Sequence, residues 1–260
     1  MVKLILFITL CCLTAPLSAE RNPPAAYELS DYTRIITANQ TLNTSDGYLT
    51  ACETGVAYGG YHLTGQEAVT ALHMAYRDCV KSLTLKPNNV DAIIALGIVL
   101  AFEGKRTTSI FKVKKAKAQF EQAIKLAPEH IRAYAALAGW HNEVSHKGFF
   151  ARLALGASYK KSGRYFKKAI ALNSNDITIV LEYARYLAGR KSKYRPLAIA
   201  QLDTIIDKPA LSLLRQAQRQ RAIILRTVLL TGSKKRIKKA TIESGMFLDL
   251  TNWDHIKFTS

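Results

Sequence analysis

The stretch WHNEVSH places His141, Glu143 and His146 close together. Glu143 and His146 have the Glu-x-x-His spacing with which di-iron bundles project two ligands from one helix face. Such a centre needs a second copy of the motif together with two further carboxylates, and the sequence has no second Glu-x-x-His. His141 is therefore read as a packing histidine on a helix face. GASYKKSG carries glycines, serines and lysines, but not the G-x-x-x-x-G-K-[ST] order whose backbone amides cradle phosphates. No G-x-S-x-G elbow, H-E-x-x-H pair or double C-x-x-C is present either. These patterns point away from an enzyme, and no cofactor and no metal are expected.

Cysteine chemistry depends on the compartment, and the first residues speak to that. MVKLILFITLCCLTAPLSA has Lys3, an apolar run from Leu4 to Leu13, a breaker at Pro16 and small residues at Ser18 and Ala19. This is the pattern of a secretory signal over residues 1–19, and the run is well short of the roughly 20 residues that span a bilayer. Export across an inner membrane to the periplasm is the resulting expectation. Cys11 and Cys12 fall in that segment, which leaves Cys52 and Cys79 as an even pair in an oxidising place. A disulfide between them is expected, with two reduced, buried thiols as the alternative. Zinc is not, because no second Cys or His pair lies at ligand spacing.

Of the 260 residues, 48% are apolar and 22% charged, a composition able to bury a core. The formal net charge is +18, and fourteen Lys and Arg lie between Arg190 and Lys239 against two Asp. Such a field attracts polyanions. For an exported chain the partners it suggests are an anionic envelope surface or an acidic protein, not nucleic acid. Arg215, Arg219, Lys234, Lys235, Arg236, Lys238 and Lys239 are the expected basic surface, with a merely solvated face as the alternative reading.

The elements that must position these residues repeat. FEQAIKLAPEH (120–130) and FKKAIALNSND (166–176) share an aromatic, an Ala-Ile pair, a Leu and a break. Ala116, Phe120, Ala123 and Ile124 recur at i, i+4, i+7 and i+8, one face of an amphipathic helix closed by Pro128. Beyond each break a new apolar face opens, at Ile93 after Pro87, at Tyr134 after Pro128 and at Val180 after Ser174, which replaces the proline. RPLAIAQLDTIIDKP supplies one more closing helix before Pro209.

This order of bulky, small, aromatic and proline positions resembles the tetratricopeptide repeat over about residues 65–210. Successive Ala-Ile positions are 41 and 46 residues apart, against about 34 in a regular repeat, which implies inserts. They are placed at GKRTTSIFKVKK and SHKGFFARLALGASYKKSG. The second, with its flanks, is similar to a divergent repeat group that includes the regulator of microtubule dynamics family and exported bacterial proteins. The resemblance implies an all-α, right-handed solenoid of about four helical hairpins whose first helices line a concave groove. Carried over position by position, that groove consists of Ile94, Ile98, Phe102, Ala135, Gly139, Asn142, Glu143, Leu181 and Arg185. It would take a protein or peptide partner. A small ligand held within the stack is one alternative, and a groove filled by the inserts or by the C-terminal helix is another.

Residues 20–44 are Pro-rich at their start and are expected to be flexible, ahead of a repeat domain over 45–210. Its first unit is a helix ending at Gly59 and Gly60 and a second helix started by a Thr64–Glu67 capping box. Residues 211–260 are expected to form a long amphipathic helix covering the open end of the stack, then a basic tail.

Overall fold

The computed structural model describes residues 29–172 and 176–256 and contains, among them, twelve α-helices, two short 3-10 turns and no strand. The signal-like stretch and Ser174 lie outside the described residues. The helices are α1 (Leu29–Thr41), α2 (Ser45–Tyr61), α3 (Gly65–Leu85), α4 (Val90–Arg106), α5 (Ile110–Leu126) and α6 (Ile131–His146). They continue as α7 (Phe149–Leu155), α8 (Tyr159–Leu172), α9 (Ile177–Ala188), α10 (Arg195–Ile206), α11 (Leu213–Thr231) and α12 (Lys234–Glu243).

Four antiparallel hairpins, α2/α3, α4/α5, α6/α8 and α9/α10, stack side by side as an all-α solenoid. Their first helices form an inner row in which each touches the next. Helix α11 continues that row beyond α9, packs also on α10, and reaches back to touch α2. The inner row thus curves round until its two ends meet.

Local chemistry sets the element ends. Side chains of Thr44, Asn89, Ser109, Asp176, Ser212 and Ser233 accept backbone amide bonds at the starts of α2, α4, α5, α9, α11 and α12, satisfying donors that a helix start leaves orphaned. The hairpins close through small residues. Phe120 lies so near Gly97 that a Cβ there would be 2.5 Å from the ring, and the aromatic is 1% exposed. It therefore fills a notch within its own hairpin. Cys52 and Cys79 are joined across α2 and α3, both fully buried. A cross-link closing a loop of that size stabilises by roughly 3–4 kcal/mol in the chain-entropy account.

Several local expectations are corrected. The segment expected to be flexible over 20–44 contains α1, which is held because Tyr32 and Ile36 bury against the stack and the Tyr32 ring stacks on Tyr58 at 5.0 Å. Helix α2 runs through Gly59 and Gly60 to Tyr61. The Thr64 side chain makes no capping bond, and Gly65 follows it with φ +59. The first basic insert lengthens α4 to Arg106 and α5 back to Ile110 around a three-residue turn. The second insert contains α7, an extra helix set between the two members of the α6/α8 hairpin.

Candidate partner-binding trough

The inner row encloses a trough whose character changes along its length. Ile94 and Leu181 are fully buried in the helical core, the first beside Ile93, Ala123 and Ala133, and offer no side-chain surface to a ligand. Ile98, Ala135 and Gly139 are half-buried, and a Cβ added at Gly139 would meet nothing within 4 Å. Asn142 is buried, and its Oδ1 has no hydrogen-bond partner among the described residues. Glu143 is exposed, with Lys105 Nζ at 3.4 Å and Arg185 Nη2 at 3.9 Å. The protein crowded around this carboxyl would raise its pKa, but the two cations outweigh that and hold it below the usual range although the side chain still reaches solvent.

From the first turn of α6, Arg132 donates to Asp91 in the first turn of α4 at 3.0 Å and to Glu53 midway along α2. His130 Nε2 lies 3.2 Å from the same Asp91 carboxylate. Burial disfavours the Arg132 charge, but Glu53 and Asp91 more than offset it and raise its pKa. This ionic rim ties three successive inner helices together.

The opposite end is closed by the chain itself. After α12 the chain turns back, and Gly245, Met246 and Phe247 seat against the last turns of the inner helices. The Phe247 amide donates to Gly60 O at 2.9 Å, and its ring meets Phe102 at 4.7 Å. Gly245 abuts the Arg185 guanidinium so closely that a Cβ would clash. Its carbonyl accepts from Arg221 of α11, which also donates to Tyr61 O at 3.1 Å and lies 4.4 Å over the Tyr61 ring. Arg185 Nε donates to Thr241 O at 3.1 Å, and Arg185 also pairs with Glu182. Gln218 bridges the Tyr61 hydroxyl at 3.3 Å and Thr178 at 2.9 Å. Burial, with the Glu182 charge nearby, pushes the Tyr61 phenol up to about 12.

The strap then crosses to α3 and α4, where a buried ion pair fastens it. Arg106, 1% exposed, grips Glu103 with Nε to Oε2 at 2.7 Å and Nη2 to Oε1 at 2.8 Å. The same guanidinium donates to Trp253 O, and to Ile256 O at 2.8 Å. Lys112 Nζ at 3.0 Å and His73 Nε2 at 3.5 Å complete the shell. Burial would raise the Glu103 pKa, but bonds from Arg106, His73 and Lys112 overcome it and bring it down to about 2.

The histidine cluster does not converge on a ligand. His141 is buried between an edge-on Trp140 and a Tyr165 ring stacked at 5.7 Å. Burial, with Lys161, Lys117 and Arg164 nearby, lowers its pKa to about 4. His146 Nδ1 lies 3.2 Å from the Tyr159 hydroxyl, while Glu143 faces Lys105 and Arg185. No group of three or more His, Cys, Asp or Glu able to hold a metal ion occurs among the described residues.

The basic residues differ in how they are held. Lys234, Lys235, Arg236, Lys238 and Lys239 are exposed on α12, whose Ile237 and Ala240 face the core, and Lys239 lies 3.6 Å from Glu243. Arg215 and Arg219 lie in the first two turns of α11, against which α12 folds back. Arg219 is half-buried and donates to Ile206 O at 2.6 Å.

Reading the sequence missed Phe247, Arg106, Glu103, Arg221 and Arg132. None belongs to a motif, and each acquires its role from a neighbour distant in the chain. A hint for the pair was Glu103 and Arg106 at i, i+3 near the end of an otherwise apolar helix. Among described residues, no helix is long and apolar enough to cross a membrane.

No protein-family model and no curated protein matches the sequence. Among solved structures, the fold is similar to one described as the crystal structure of YrrB, a TPR protein with an unusual peptide-binding site. The likeness has 17% identity and a TM-score of 0.36, covering 84% of this chain and 93% of that one.

Proposed function

We propose that the chain is an exported helical-repeat scaffold that binds a protein or peptide partner in the open part of its trough and does no catalysis. The observation that carries this reading is the uncovered stretch at Ile98, Ala135 and Gly139, between the Arg132 rim and the Phe247 plug. An extended segment laid there would meet apolar side chains from two inner helices, with the exposed Glu143 and Lys105 available to polar groups. Support for export comes from the signal-like residues 1–19 and from the buried Cys52–Cys79 cross-link.

A photo-crosslinking residue at Gly139 tests the site, with the same residue at the exposed Lys125 on the outer row as a control. The expected result is a discrete adduct in cells from position 139 alone, lost when Ile98→Asp is added to a chain that stays folded. Adducts of equal yield from both positions, or none from 139, would remove the trough from the function.

A further inference from the structure

We propose that α7 is a docking element for the surface of an anionic phospholipid bilayer. It is separate from the trough and from the basic residues of α11 and α12. Seven residues long, α7 is bracketed by Gly148 at φ +105 and Gly156 at φ +63, backbone conformations that side-chain-bearing residues rarely adopt. These two turns let the chain leave α6, stand one short helix off the stack and rejoin it at α8.

The orientation of α7 is fixed. Ala151 and Leu155, four apart, pack on the core cluster that contains Trp140 and Val144. Phe149, Phe150 and Leu153 consequently point away from the stack, at 63%, 83% and 72% exposure. Three large apolar side chains side by side on one short helix are not explained by the packing of the described residues, which leaves them exposed.

Charge decides the occupant. Residues 144–175 include seven Lys and Arg and no Asp or Glu. Beside the apolar group, Arg152 and Lys160 line a shallow surface pocket of about 390 Å³ together with Phe149, Leu153, Ser158 and Tyr159. Arg190 lies 4.1 Å over the Tyr159 ring and brings a further cation to the same place. Apolar tips flanked by cations match the two layers of an anionic membrane surface. The rings enter the acyl boundary while the guanidinium and ammonium groups stay with the phosphates.

The test uses the chain from residue 20 onward, since residues 1–19 would partition into lipid by themselves and all described packing lies beyond them. Sedimentation with vesicles of phosphatidylcholine alone is compared with vesicles containing about one-third phosphatidylglycerol. The expected result is binding to the anionic vesicles only, weakened by raising salt. It should fall at least about tenfold in Phe149→Ser/Phe150→Ser/Leu153→Ser, a variant that removes no charge and, because all three side chains are exposed, keeps its melting temperature.

Equal binding by the triple variant would show general basic attraction and overturn the assignment to α7. So would binding to neither vesicle, or equal binding to both. Self-association of the parent chain that the triple variant loses, without vesicle binding, would make the face a protein interface instead. None of these outcomes bears on crosslinking at Gly139, so the two readings fail separately.

Discussion

Phe247 and Phe150 both belong to segments that depart from the helix pairs, yet one is 1% and the other 83% exposed. The strap carrying Phe247 satisfies its backbone as it goes: its carbonyls at Gly245, Trp253 and Ile256 each receive an arginine, and the Phe247 amide bonds Gly60. Its apolar side chains can then be buried without orphaned polar groups. Helix α7 has no fully buried residue and packs on the core only through the half-buried Ala151 and Leu155, leaving its largest side chains in water. The same residue type is architecture in one place and recognition surface in the other, and what separates the two is whether polar partners were provided for the chain around it.

The largest effect that should separate these two regions is on stability. Phe247→Ala removes a ring packed on Phe102, Gly59 and Gly60 and should cost about 3–5 kcal/mol in denaturant unfolding. A loss below about 1 kcal/mol would mean that the strap is not part of the core.

A somewhat smaller effect lies in acid. The Glu103 pKa falls from the usual 4.5 to about 2 in the folded chain, so its stabilisation is complete above pH 4.5 and is lost as the pH falls toward 2. The loss amounts to about 3 kcal/mol across that window. Glu103→Gln should be less stable at neutral pH, since it leaves the buried Arg106 charge uncompensated, and should lack that slope. Urea titrations at successive pH values read both, and an unchanged slope in the variant would assign the acid sensitivity elsewhere.

The smallest effect is expected at α7. Phe150→Ser should change stability by no more than about 0.5 kcal/mol, because its ring is already in solvent. A clear destabilisation by calorimetry would show that α7 is packed like the strap, and the contrast would collapse.

Much of the architecture was legible. The i, i+4, i+7 spacing of Ala116, Phe120 and Ala123 and the breaks at Pro87 and Pro128 report local periodicity, and local periodicity is what defines an amphipathic helix. Less of the site was legible. Ile94 and Leu181 carry the right residue type for a groove wall, but the small rotation that buries them depends on how neighbouring hairpins cross. Arg185 was expected in the trough from its register alone, whereas its partners Thr241 and Gly245 lie more than fifty residues further along, where no helical spacing could point. The Thr64 cap failed for a similar reason: the start of α3 is shaped by the distant strap, with Trp253 lying against Gly65.

By itself the sequence determined the helices of the four hairpins, their pairing, the cross-link between Cys52 and Cys79 as an available bond, and the surplus of positive charge. These follow from contacts between residues near in the chain, or from counting. The tertiary structure decided which stretch of the trough stays open, that residues 244–256 close its far end, and that Phe149, Phe150 and Leu153 face water. Those outcomes depend on which surfaces meet after the inner row curves back on itself, and the curvature accumulates from small crossing angles between hairpins that no single segment encodes.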